Sequence, residues 1–186
     1  MSGSSTPNDH GNYTAAPVGT ASILLSPSAR PFPSFWIDSS SRLVYIFGGT
    51  PTSELWKWDG NLWTLLDMGV RSPIWNGTTP NPGSRVGFST WAKDNGFYLF
   101  SGYNTTATST GYVDIWRLDV VDTMINWTWV YGPNTLGPSP VYGAQGVASP
   151  LNRPAFRIFS PAAVVSGQFV AMFGGAGAGN IERQMQ

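Results

Sequence analysis

Few residues in this chain are equipped for chemistry. There is one histidine, His10, and no cysteine, so disulfides, zinc–thiolate sites and thiol catalysis are excluded, and a three-ligand zinc site of the usual kind has too few donors. A histidine-dependent nucleophile relay would need His10 itself, which lies in a Ser-, Gly-, Pro- and Asn-rich stretch and reads as a solvated polar residue. The carboxylates Glu54, Asp59, Asp114 and Asp119 could in principle pair for glycoside hydrolysis. They recur, however, at matched positions of one phrase, Glu54-Leu55-Trp56-Lys57-Trp58-Asp59 and Asp114-Ile115-Trp116-Arg117-Leu118-Asp119. A recurring acid is read more economically as a carboxylate accepting backbone N–H bonds at a strand end. The expectation is a protein that binds or builds rather than catalyses, with no catalytic residue, no metal and no cofactor.

Groups suited to recognition or modification are easier to find. Arg30 and Arg85 stand at equivalent points ahead of two β-rich units, with Arg153 or Arg157 as the counterpart in a third. Each could pair with a strand-end Asp of a neighbouring unit and pack on Trp. Trp75 falls outside the repeated phrase, beside Asn76, and is the tryptophan expected to be exposed; Trp56, Trp63, Trp116 and Trp127 are assigned to the core. Four Asn-x-Thr triplets, at Asn12, Asn76, Asn104 and Asn126, are candidate N-glycosylation sites. Asn76 lies between units, Asn104 in a loop and Asn126 at a turn, where a sugar could stand in solvent.

Charge narrows the partners. Lys and Arg number 10 against 10 Asp and Glu, and only 11% of residues are charged, against about 25% on average. No basic stripe interleaved with aromatics is present to track a phosphate backbone, so nucleic acid is not an expected partner. No run is long enough to span a membrane, and residues 1–20 lack the basic start and apolar core of a secretory signal. Those residues read as a flexible leader or an extended strap.

The elements that must position these groups announce themselves by repetition. Val44-Tyr45-Ile46-Phe47-Gly48-Gly49, Phe97-Tyr98-Leu99-Phe100-Ser101-Gly102 and Val170-Ala171-Met172-Phe173-Gly174-Gly175 are one apolar run ending on glycine, said three times. The first two are followed by the acid-aliphatic-Trp phrase and then by Trp63-Thr64 or Trp127-Thr128-Trp129. The second unit divides into four strands near Val86 to Trp91, Phe97 to Phe100, Val113 to Leu118 and Trp127 to Val130. Phe97 to Phe100 carries no charge and is expected to be buried on both faces.

The glycine pair after an aromatic-ended strand, the acid-aliphatic-Trp start, the Asp three residues after that Trp and the later Trp together resemble kelch repeats. Successive second glycines, Gly49, Gly102 and Gly175, are 53 and 73 residues apart, where a kelch period is about 50 and loops absorb insertions. The resemblance covers about Arg30 to Gly175 and implies an all-β fold of kelch-type β-propeller blades. The chain departs from it at Ser101, which replaces a glycine, and in lacking a Trp strand after Gly175. It also lacks the cysteine and histidines of copper radical oxidases built on that propeller.

A propeller closes with about 4 to 8 blades, so about two and a half to three blades of four antiparallel strands make an incomplete one. The expected layout is a leader over 1–20, the outer strand of a preceding blade over 21–29, blades over 30–81 and 82–151, and a partial blade over 152–186. Other protein chains or further copies would complete it. The expected function is a non-catalytic binding or structural module of an extracellular or cell-surface glycosylated protein, with glycans as further ligands. Arginines in propeller-mouth loops grip acidic partners in the kelch family, which implies an alternative for Arg30 and Arg85: a cytoplasmic adaptor binding an acidic peptide. A third class is a fragment of a carbohydrate-active enzyme.

Overall fold

The computed structural model is all-β. It describes residues 6–50, 53–104, 110–167 and 169–177, among which there are thirteen strands and no helix. The first sheet runs, from outside inward, β1 (Ala21–Ser22), β5 (Trp63–Asp67), β4 (Leu55–Trp58), β3 (Leu43–Phe47) and β2 (Ser34–Asp38). A second sheet repeats the inner four as β11 (Met124–Tyr131), β10 (Ile115–Val121), β8 (Gly96–Phe100) and β7 (Ser89–Lys93). The third comprises β12 (Ala162–Val165) and β13 (Phe169–Met172), and β6 (Arg85–Val86) forms a small pair with β9 (Tyr103–Asn104). Neighbouring strands are antiparallel throughout.

The three glycine-ended runs occupy one slot in three different sheets. Ser34 lies opposite Phe47 in the first and Ser89 opposite Phe100 in the second. They are second strands rather than first: β2, β7 and β12 stand inside them, β7 touching both β2 and β12. Cross-sheet bonds repeat with the units. Ser34 Oγ donates to Phe88 O at 3.2 Å, Ser89 Oγ donates to Ser160 O at 2.6 Å, and Trp36 Nε1 reaches Tyr98 O at 2.9 Å.

Burial follows from this stacking. Trp36, Tyr45, Phe47, Phe97, Leu99 and Trp127 form one core where the first two sheets meet, and Phe100, Val113 and Phe156, with Met172 against them, form another towards the third. As expected, Gly96–Phe100 has both faces covered, only Tyr98 being partly open.

One expectation about the start of the chain is corrected and another is narrowed. Ala21–Ser22 does not belong to an earlier unit; it pairs with Thr64 and Trp63 as the outermost strand of the first sheet. Within the described residues the leader is a strap. Asn12 bridges Ser26, Gly19 N donates to Leu65 O at 2.8 Å, and Tyr13, Ala15 and Ala16 cover a buried cluster of Leu25, Trp56 and Leu65.

The departure at Ser101 has a local cause. Gly48, Ser101 and Gly174 share a left-handed φ of 68°, 66° and 66°, a conformation normally left to glycine. Ser101 holds it with a fully buried hydroxyl that donates to Tyr112 O at 2.8 Å and accepts from Arg157 N at 2.9 Å.

Candidate functional site

The arginines sit at the ends of a turn that is itself repeated: Pro27-Ser28-Ala29-Arg30, Pro82-Gly83-Ser84-Arg85 and Pro154-Ala155-Phe156-Arg157. From each turn the side chain reaches back to the carbonyl at the left-handed position. Arg30 Nη1 donates to Gly48 O at 3.3 Å, Arg85 Nη1 to Ser101 O at 2.9 Å and Arg157 Nη1 to Gly174 O at 3.0 Å. This settles the third counterpart as Arg157; Arg153 instead donates to Ser139 O.

Each of the first two arginines then closes on the acid of the acid-aliphatic-Trp phrase. Arg85 grips Asp114 with both arms, Nη1 to Oδ1 at 2.6 Å and Nη2 to Oδ2 at 3.1 Å, and both side chains are fully buried. Asp114 Oδ2 also accepts from Trp116 Nε1 at 2.8 Å and Trp75 Nε1 at 3.1 Å. In the first unit Glu54 Oε2 accepts from Arg30, from Trp56 Nε1 at 3.1 Å and from the Tyr13 hydroxyl at 3.2 Å. Arginine, acid, the indole two residues on and an aromatic donor from the preceding loop thus make one polar unit, built twice. The guanidinium of Arg85 also lies 4.2 Å over the Tyr112 ring. Burial raises the pKa of that phenol, Arg85 pulling the other way. A buried charge needs pairing, and Arg30 and Arg85 each donate to backbone carbonyls as well as to their acid.

Four sequence expectations change accordingly. Arg30 and Arg85 are not presented to a partner, because their charges are spent inside the fold. Their acids come from their own unit, 30–81 or 82–151, rather than a neighbouring one. Trp75 is half buried, its indole N–H committed to Asp114. Glu54 and Asp114 accept arginine and indole donors rather than backbone N–H groups. Asp59 does behave as a strand-end cap: its Oδ1 accepts from Leu62 N at 2.7 Å and Asn61 N at 2.9 Å, bonds that lower its pKa. Asp119 pairs with Arg117 on its own strand, and His10 is exposed.

The asparagines divide. Asn12, Asn76 and Asn126 are exposed, and Asn126 shares the outer face of β11 with Thr128, their side chains 3.4 Å apart. Asn104 is 4% exposed and its amide donates to the Tyr112 hydroxyl at 2.6 Å, a packing that leaves no room for a sugar; Thr106 of its triplet lies outside the described residues. A cleft of about 250 Å³ between the outer strands of the first two sheets is lined by Asp67, Ile74, Thr78, Asn126 and Trp127, so two acceptor triplets border one hollow. A wider groove of about 510 Å³ lies between the β2–β3 and β7–β8 turns, with Asp38, Ser40, Lys93, Asp94 and Asn95 on its walls. None of the four recurring carboxylates lines either. Among the described residues no three His, Cys, Asp or Glu side chains group to hold a metal ion, and no helix is long and apolar enough to cross a membrane.

Tyr13, Tyr112 and the choice of Arg157 escaped the sequence reading; the Pro-x-x-Arg spacing does not make that choice, since Pro150-Leu151-Asn152-Arg153 has it too. No protein-family model matches the chain, and no curated protein does either.

Proposed function

We propose that this chain contributes kelch-type blades to a β-propeller and works as a non-catalytic binding or structural module of a glycosylated extracellular or cell-surface protein. The observation that carries this is the buried arginine–acid–indole unit, made twice from the same phrase. It accounts for the recurring carboxylates as architecture, removing the acids on which hydrolytic chemistry would draw. It also weighs against an adaptor that grips acidic peptides through Arg30 and Arg85.

Support for assembly comes from the outward faces. Phe35 and Ile37 on β2 are 60% and 55% exposed, and Phe169 and Phe173 at the third sheet 64% and 84%. Apolar faces of this kind mark contact surfaces, so the partners are other chains or further copies that cover them.

Sedimentation of the full chain tests the assembly. Concentration-dependent association at micromolar levels is expected, and a compact, cooperatively melting monomer would remove it. The surface placement is tested by intact mass of natural material: bare Asn12, Asn76 and Asn126 would sink that part.

A further inference from the structure

The indole N–H groups of Trp36, Trp56, Trp75, Trp116 and Trp129 each meet an acceptor: Tyr98 O, Glu54, Asp114, Asp114 again and Tyr131 O. Trp127 differs. It is 3% exposed, and its Nε1 is buried with no hydrogen-bond partner among the described residues. A buried donor left unpaired bears its full desolvation cost, so an acceptor brought to Trp127 would recover it.

Trp127 is also one of the residues that line the cleft of about 250 Å³ between the outer strands of the first two sheets. Ile74 and Ile125 give that cleft apolar walls, and Asp67, Thr78 and Thr79 bring oxygens to it. Asp67 keeps capacity in reserve. Its Oδ1 accepts from Gly69 N at 2.9 Å and its Oδ2 from Asn81 Nδ2 at 2.8 Å, one traced bond to each oxygen where a carboxylate can take about four in all. None of the ion pairs among the described residues involves it. Asp67 is also the single carboxylate among the lining residues, so the acid pair that glycoside hydrolysis needs is not assembled there. The cleft is equipped to hold a guest rather than to cleave one.

The two unspent groups specify that guest. An indole N–H only donates and an ionised carboxylate only accepts, so the guest must do both. An ammonium group would answer Asp67 and leave Trp127 unpaired; a carboxylate would do the reverse and meet Asp67 as a like charge. Neighbouring hydroxyls serve both groups without a charge. A saturated ring that carries them offers its C–H face to Ile74 and Ile125, and the cleft, just below the usual small-molecule range of about 300–1,000 Å³, suits one ring. We propose that this cleft binds a single neutral sugar ring, Trp127 Nε1 donating to one of its oxygens and Asp67 accepting from a hydroxyl beside it. Thr78 and Thr79, both exposed, add hydroxyls that select among sugars. The inference goes beyond the functional reading above and does not rest on it: a monomeric chain would remove the assembly and leave the cleft as it is.

The full chain is produced without N-glycans, so that nothing tethered at Asn76 or Asn126 reaches the cleft, and its indole N–H signals are followed by NMR. Methyl glycosides of glucose, galactose, mannose and N-acetylglucosamine are titrated in. A saturable shift of the Trp127 signal, assigned with the Trp127→Phe chain, is expected for at least one of them, with Kd in the millimolar range. The Trp56 signal should stay in place, because its N–H is already held by Glu54. Asp67→Asn should weaken binding at least about tenfold, the loss appropriate to a charge-assisted bond. Tetrahydropyran, the same ring stripped of hydroxyls, tests the polar contacts with the chain untouched and should not move the Trp127 signal. Cyclohexylammonium tests the competing guest: if it binds and no sugar does, the cleft answers to charge alone and the proposal fails. Binding of tetrahydropyran as tight as that of the sugars, sugar binding indifferent to Asp67→Asn, or no Trp127 shift with any sugar up to about 100 mM overturns it as well.

Discussion

At the scale of single residues, the most consequential choice is to bury a full charge pair. Removing one member of such a pair leaves the other uncompensated, at a cost of about 3–5 kcal/mol. Arg85→Ala or Asp114→Asn should therefore lower unfolding free energy in urea by about that amount, and a loss below about 1 kcal/mol would show the pair to be dispensable. Asp38 behaves differently. The Ser40 and Ser41 hydroxyls and amides bond its carboxylate and hold its pKa at about 2, against 3.8 ordinarily. Because the folded value is depressed, the stabilisation is complete above about pH 4 and fades as pH falls towards 2. A carboxyl titration by NMR should place the midpoint near 2, and Ser40→Ala with Ser41→Ala should return it towards 3.8. In material passed through a secretory pathway, enzymatic deglycosylation in heavy-oxygen water should label Asn76 and Asn126 and spare Asn104; label at Asn104 would contradict its burial. The acids and arginines were legible as repeated letters. Their pairing was not, because Glu54 lies 24 residues from Arg30, and Asp114 29 residues from Arg85.

At the scale of elements, β-rich runs bounded by Gly, Asn and Asp located every strand of the second sheet, and the ends slipped where a kink intervened. A strand was expected from Val86, yet Val86 pairs with Tyr103 and β7 begins at Ser89. Between them Gly87 takes φ +67°, and its counterparts Phe32 and Phe159 take 56° and 58°. Two phenylalanines in a glycine's conformation give no compositional signal. Their rings meet at 5.2 Å, a tertiary contact that offsets the local strain. Gly87 has no such latitude, since an added Cβ would lie 2.9 Å from Ile158 Cβ. Gly87→Ala should cost about 1–2 kcal/mol from the left-handed backbone alone, with the clash added, and an unchanged melting temperature would refute that packing. Trp116→Ala, deleting a fully buried indole, should cost about 3–5 kcal/mol. Trp75→Ala should cost less, but measurably, because it strips a donor from Asp114.

At the scale of the whole molecule, repetition in the chain became repetition in space: three sheets, with β2, β7 and β12 as successive inner strands. What sequence periodicity could not convey is which side of each sheet is covered, since that depends on neighbours distant in the chain. Phe169→Ser combined with Phe173→Ser should shift the sedimentation profile towards monomer without lowering the melting temperature, if those rings serve association; unchanged association would place the contact elsewhere. The strap over the first sheet carries a consequence for the order of events during synthesis. Strands β2 to β5 of the first sheet follow one another as hairpins, so contacts among them are short in sequence and quick to form, whereas β1 reaches across them to pair with β5. Tyr13, Leu25 and β1 all leave the ribosome ahead of the strands they cover. Once Asp67 has emerged, the first sheet holds its own lid and its own ion pair, and it can become protease-resistant while the rest of the chain is still being made.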